Sequence, residues 1–80
     1  MDLTYDSVEE AVAETIGTNP DVVEKWLSDT PKSWGYLAGK AVIACGRKLG
    51  RELTKAERQR VWSRLWQRLT ELRVARDSIQ

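Results

Sequence analysis

Arginine offers the most chemistry in this chain, because three arginines recur at helical spacing. Arg60, Arg64 and Arg68 are four residues apart and therefore form one row along a helix. The planar guanidinium bonds phosphate oxygens bidentately, so the row predicts a surface for nucleic-acid phosphates. The alternative is a solvated helix face whose long stems cover the edge of the core. With its basic neighbours, the candidate nucleic-acid-binding set is Arg47, Lys48, Arg51, Lys55, Arg60, Arg64 and Arg68.

The residue types on which most enzyme sites depend are missing or isolated. The chain has no histidine, which removes the usual general base and the usual zinc ligand. Cys45 is the single cysteine and lies among apolar positions at helical spacing, which favours a buried thiol over a nucleophile. The acidic residues do not have the spacing of a calcium loop. We therefore predict a protein that is not an enzyme, with no catalytic residue, no metal site and no cofactor.

The charges of the chain are separated along its length. Residues 1–30 contain eight acidic side chains and one basic one, whereas residues 31–80 contain twelve basic and four acidic side chains. The net charge of +1 is thus a cancellation of −7 and +8. A basic half indicates an anionic partner. RNA fits this description. The acidic half supports a different alternative, a protein partner onto whose basic surface it would dock.

Apolar residues recur with a helical period along the whole chain, and no strand pattern interrupts them. This predicts an all-α fold, a small bundle of three to four helices in a single domain spanning residues 1–80. Gly17 is predicted to end the first helix, and residues 73–80 are predicted to fray. The predicted starts are a Ser7–Glu10 capping box, Asn19-Pro20, Thr30-Pro31 and a Thr54–Glu57 capping box.

Glycines and tryptophans add two expectations about packing. Gly35 and Gly39 lie four residues apart in the third helix, where each costs about 1 kcal/mol relative to alanine, so they predict a close approach of another backbone. The four tryptophans, Trp26, Trp34, Trp62 and Trp66, all fall on predicted apolar faces, which favours the core. Because the last two share a helix with the arginine row, an exposed indole on which bases stack is the alternative.

Residues 19–42 contain a specific order of residues, which is Asn19, Val23, Trp26, Lys32, Gly35, Leu37, Gly39 and Val42. This pattern resembles that of a known family, the GatB/YqeY tail domain. The resemblance implies a small all-helical domain, found at the tail of the B subunit of tRNA-dependent amidotransferases, where it contacts tRNA, and also as a stand-alone protein. Asp29 and Thr30 stand where the family has a turn glycine and a lysine, and Val42 stands where it has methionine.

No apolar run approaches the ~20 residues of a membrane span, and the first residues are acidic rather than signal-like. We therefore predict a cytoplasmic protein without a membrane partner; the sequence does not indicate an oligomeric state. The predicted function is a non-catalytic nucleic-acid-binding helical module, directed to RNA and through the resemblance to tRNA. The alternative is a small helical protein–protein interaction module that serves as an adaptor, regulator or inhibitor.

Overall fold

The computed structural model describes residues 3–79, and this range contains four α-helices and no strand. The all-α prediction is confirmed. The last helix continues to Ile79 and so includes most of the residues that were predicted to fray, and Gln80 lies outside the described range. The helices are α1 (Tyr5–Thr18), α2 (Pro20–Leu27), α3 (Ser33–Leu49) and α4 (Lys55–Ile79).

All four helices contact one another, and α3 is central because its contacts with the other three are the most extensive. Its inner face buries Leu37, Ala41 and Cys45 completely, and α4 adds Leu65 and Leu69 to the same core. The small side chains of α3 allow the neighbouring helices to pack closely against it. The prediction of a buried Cys45 is confirmed, and burial raises the pKa of its thiol.

Helix α1 begins one turn earlier than predicted. The Thr4 backbone is extended, and its hydroxyl oxygen accepts a hydrogen bond from the Ser7 amide at 3.1 Å. The predicted cap at Ser7 is therefore wrong: Ser7 already lies inside the helix, and its hydroxyl is bonded to that of Thr4 at 2.9 Å. At the other end α1 continues past Gly17 to Thr18.

The connections on either side of α2 differ in how well they were predicted. Asn19 and Pro20 start α2 as expected, but Nδ2 of the Asn19 side chain donates backward to the Thr15 carbonyl at 2.9 Å and so caps the end of α1. Helix α3 does not begin at Thr30-Pro31. The Lys32 backbone is left-handed, with φ of 72°, and this conformation delays the helix until Ser33.

The predicted close approach at Gly35 and Gly39 is wrong, because a Cβ atom built on either glycine meets nothing within 4 Å. Gly46 has that role instead. A Cβ atom on Gly46 would lie 2.9 Å from the Arg51 carbonyl oxygen, where the α3–α4 connection folds back over the helix. Gly50 makes this turn with φ of 72° and ends α3.

The start of α4 is a capping box, as predicted. The Glu57 amide donates to the Thr54 hydroxyl at 3.2 Å, and the Thr54 amide donates to the Glu57 carboxylate at 2.8 Å. None of the helices described in residues 3–79 combines the length and the apolar character needed to cross a membrane.

Candidate interaction surface

The arginine row of α4 faces the acidic helix α1. Arg64 donates from Nε to Glu9 Oε1 and from Nη2 to Glu9 Oε2, the second bond at 3.2 Å. The Arg64 hydrogen bond is the main reason why the pKa of Glu9 lies below its ordinary value, and the same bond raises the pKa of Arg64. Acidic α1 thus covers the middle of the predicted phosphate surface.

The two ends of the row differ from each other. Arg68 donates to Glu71 at 2.8 Å, and Arg64 also approaches the Glu71 carboxylate, at 3.8 Å. Arg60 is exposed and forms no ion pair within residues 3–79. Of the three arginines in the row, Arg60 alone lacks a carboxylate partner in the described part of the chain.

Lys55 and the exposed tryptophan lie on the opposite flank of α4. Lys55 precedes Arg64 by nine residues, about two and a half helical turns, and therefore points away from it. Trp66 follows Lys55 by about three full turns, which places both on one flank. There the Trp66 ring contacts Trp26 and Trp34 edge-on, with ring centroids 5.5 and 5.4 Å apart, and Trp66 remains 52% exposed.

The basic residues at the end of α3 form a second group. Lys48 lies 3.8 Å from Glu10 of α1. Arg51 donates two hydrogen bonds to the Glu57 carboxylate, both at 2.7 Å, and this guanidinium is the main reason why the pKa of Glu57 falls to about 2. Arg47 is exposed and forms no ion pair in the described residues. The seven predicted residues therefore do not share one surface.

Sequence reasoning missed two arginines that act inside the molecule. Arg73 donates to the Trp26 carbonyl at 2.9 Å and to Asp29 at 3.0 Å, while its guanidinium lies 4.1 Å from the centre of the Trp26 ring. Arg76 donates to the Leu27 carbonyl at 3.0 Å. Both arginines satisfy carbonyls at the end of α2. Their spacing of three residues, as neighbours on one helix face, was the available signal.

The outer face of α3 carries large side chains without an intramolecular role in the core. We define this face by Tyr36, Gly39, Lys40, Ile43 and Arg47. Tyr36 is 47% exposed and Ile43 is 56% exposed, and the Lys40 ammonium lies 5.4 Å from the Tyr36 ring centre. The face therefore combines exposed apolar groups with cations.

Two hollows flank this face, and Ile43 and Arg47 line both of them. The hollow toward the α3–α4 connection, here called the loop hollow, has a volume of about 440 Å³. The hollow toward α1 has about 330 Å³ and includes Glu14 and Lys40. The other residues of the loop hollow are Val42, Gly46, Arg51, Glu52, Leu53 and Arg58.

Within residues 3–79, no group of three or more acidic or cysteine side chains is arranged to hold a metal ion. Comparisons of the chain with models of protein families, with curated proteins and with solved structures give no match. The likeness to the GatB/YqeY tail domain remains a resemblance confined to residues 19–42.

Proposed function

We propose that this chain is a small non-catalytic protein-interaction module, an adaptor, regulator or inhibitor, which binds its partner through the outer face of α3. The observation that carries the proposal is the exposure of Tyr36 and Ile43, which lie seven residues apart on one face of a helix. Arg47, without an ion pair in the described chain, lies on the same face. Aromatic side chains and arginine are the residue types enriched in the cores of protein interfaces.

Two glycines on the exposed side of α3 support the same proposal. Gly35 and Gly39 are exposed, and the space where their Cβ atoms would lie is open. In a helix interior each glycine destabilises the fold by roughly 0.5–1 kcal/mol relative to alanine. Intramolecular packing gives no reason for this cost, whereas a partner segment that approaches α3 closely would supply one.

RNA binding is the second candidate, favoured by Arg60 and Arg47, which lack carboxylate partners in the described residues. The protein-interaction proposal has more support, for two reasons. Four of the seven candidate residues are each paired with or close to a carboxylate, and the arginine row and Trp66 lie on opposite flanks of α4, so bases stacked on the indole would be far from the row. The four are Lys48, Arg51, Arg64 and Arg68.

Site-specific photocrosslinking in cells tests the function directly. A benzophenone amino acid replaces Ile43 in one variant and Val74 in a control, since the two side chains are 56% and 59% exposed on different helices. We expect protein adducts at position 43 that are absent at position 74. Adducts that disappear on nuclease treatment would favour RNA, and equal yields of protein adducts at both positions would contradict the proposed face.

A titration with RNA at several salt concentrations separates the two candidates further. If phosphates bind the arginine row, the slope of log K against log salt changes by about 0.7 for each lost contact with a single strand. Arg60→Ala is the appropriate variant, because Arg64 also holds α1 through Glu9. We expect that Arg60→Ala does not weaken any salt-dependent binding of RNA.

A further inference from the structure

We infer that the loop hollow is a pocket for an apolar side chain of an acidic, amphipathic helix, which the partner lays along the outer face of α3. This inference rests on the proposed function and names the chemistry of the partner. It follows from the lining of the hollow, the charges at its rim, the rigidity of its walls and the shape of the adjoining face.

The floor of the loop hollow is apolar. Val42 and Ile43 line it from α3, and Leu53, which is buried, lines it from the α3–α4 connection. Its volume of about 440 Å³ lies within the range of ~300–1,000 Å³ found for ligand pockets. Burial of an apolar side chain there would remove the exposed part of Ile43 from water.

The rim of the hollow is positively charged. Arg47 and Arg58 form no ion pairs within residues 3–79, and Arg58 is oriented by a hydrogen bond to the Leu53 carbonyl at 3.2 Å. Arg51 is engaged by Glu57, and Glu52 is the only carboxylate among the lining residues of this hollow. Carboxylates on the partner would meet Arg47 and Arg58, whereas a basic segment would be repelled.

The walls of the hollow are held in place before any partner binds. The Thr54–Glu57 capping box fixes the start of α4, and Arg51 ties the connection to the same Glu57 carboxylate. The connection also packs on α3 at Gly46, where even a methyl group would collide with the Arg51 carbonyl. A preformed pocket avoids much of the entropy cost of ordering a loop on binding.

The adjoining face has the shape that suits a helix. Tyr36, Lys40, Ile43 and Arg47 follow one another at spacings of four, three and four residues, so they form a ridge about 16 Å long. Beside it the exposed glycines leave a low surface over which another helix can approach. Helices bind such faces with apolar anchors at helical spacing.

A second copy of the chain does not provide this segment. The acidic helix α1 buries Val8, Ala11 and Val12 in its own core, so its apolar face is unavailable to a neighbour. Near Glu10 and Glu14 the exposed side chains of α1 are polar or small, and the large exposed side chain of this helix, Tyr5, lies at its first residue. The expected occupant is therefore a different protein.

A display library tests the chemistry of the occupant without assuming its sequence. The full chain is immobilised and offered randomised helical peptides of about four turns on phage. We expect the enriched peptides to carry apolar residues at spacings of three and four, flanked by aspartate or glutamate. Enrichment of neutral or basic peptides, or of none, would overturn the inference.

Matched variants then locate the binding. The best peptide is titrated by fluorescence anisotropy against Arg47→Glu and Ile43→Ser, with Arg60→Glu and Val74→Ser as controls of equal charge change and similar exposure. We expect Kd to rise about tenfold for the first pair and less than about twofold for the controls, the tenfold change equalling about 1.4 kcal/mol. Thermal melting of each variant shows that the fold is intact.

Three outcomes would overturn the inference. They are equal weakening by Arg47→Glu and Arg60→Glu, a uridine oligonucleotide that displaces the peptide, and a homodimer in sedimentation that Ile43→Ser dissociates. The result at position 43 in cells separates this failure from that of the proposed function. If protein adducts form there while the library yields neutral or basic peptides, the interaction function stands and the acidic occupant does not.

Discussion

Helices α3 and α4 both carry basic residues, but they use them in different ways. In α4, Arg64 binds Glu9 of α1, while Arg73 and Arg76 bind carbonyls at the end of α2. In α3, Lys40 lies over an exposed tyrosine ring and Arg47 extends from an exposed face. The basic residues of α4 therefore largely connect helices within the molecule, whereas those on the outer face of α3 are exposed.

The difference teaches that a cluster of basic residues in a sequence does not measure a basic surface. Basic residues recur most regularly in α4. Arg64, however, pairs with Glu9 of α1, and Arg73 and Arg76 donate to backbone carbonyls. The weaker pattern in α3 leaves its cations beside exposed apolar groups. Variants that separate internal from external arginines test this comparison.

The largest effect is expected from Arg73→Ala, which removes an internal arginine. This change removes the charged donor to the Trp26 carbonyl, which keeps only the Asp29 amide, and takes the cation from the Trp26 ring, so we expect a loss of about 2 kcal/mol in the free energy of unfolding. Urea denaturation measures it. Arg60→Ala is the control and should stay within about 0.5 kcal/mol, since Arg60 is exposed. Equal losses would erase the distinction between the two kinds of arginine.

The next largest effect is expected when two glycines of α3 are each replaced by alanine. Gly46→Ala places a methyl group 2.9 Å from the Arg51 carbonyl oxygen, and overpacking of this kind costs about 1–3 kcal/mol. The gain in helix propensity offsets about 1 kcal/mol of that cost. Gly39→Ala meets open space and should raise the melting temperature. A higher melting temperature for Gly46→Ala would show that the α3–α4 connection moves away from the added methyl group at little cost in stability.

A pH titration tests how much the ion pair between Arg51 and Glu57 contributes to the stability of the fold. The pKa of Glu57 in the folded protein is about 2, below its ordinary value of 4.5, so the folded state favours the ionised carboxylate. This contribution is present above pH 4.5 and is lost as the pH falls toward about 2. Melting curves of Glu57→Gln should therefore show a weaker loss of stability in that interval than the parent. The remaining loss includes that of Glu9, whose pKa is also lowered, and an unchanged pH profile would contradict the role of the Arg51–Glu57 pair.

Thiol labelling compares the two faces of α3 and is expected to perturb the protein least. Cys45 is fully buried and its pKa is raised by burial, so a thiol reagent should modify it slowly in the native protein and rapidly in denaturant. A variant with Cys45→Ser and Ile43→Cys carries the thiol on the outer face and should react rapidly when native. Rapid native labelling of Cys45 would mean that the inner face opens readily.

The sequence predicted the elements better than their boundaries or their contacts. The Thr54–Glu57 box was predictable because both partners lie within four residues of each other. The α3 start was not predictable, because Lys32 adopts a left-handed backbone for which lysine has no local preference. The partners of Arg64 and Arg73 were unpredictable for a related reason: they lie 55 and 47 residues away, and charge spacing says nothing about such distances.

Because Arg73 and Arg76 lie far from α2 along the chain, their hydrogen bonds to its last carbonyls form late in synthesis. Helix α2 has only eight residues, too few for a stable isolated helix in water. The Leu27 carbonyl meets Arg76 only after 49 further residues have been added, and at ~5–20 residues per second the ribosome needs several seconds for this. Throughout that interval the α2 segment, with Trp26 and Leu27, lacks the hydrogen bonds that Arg73 and Arg76 later donate to its last carbonyls.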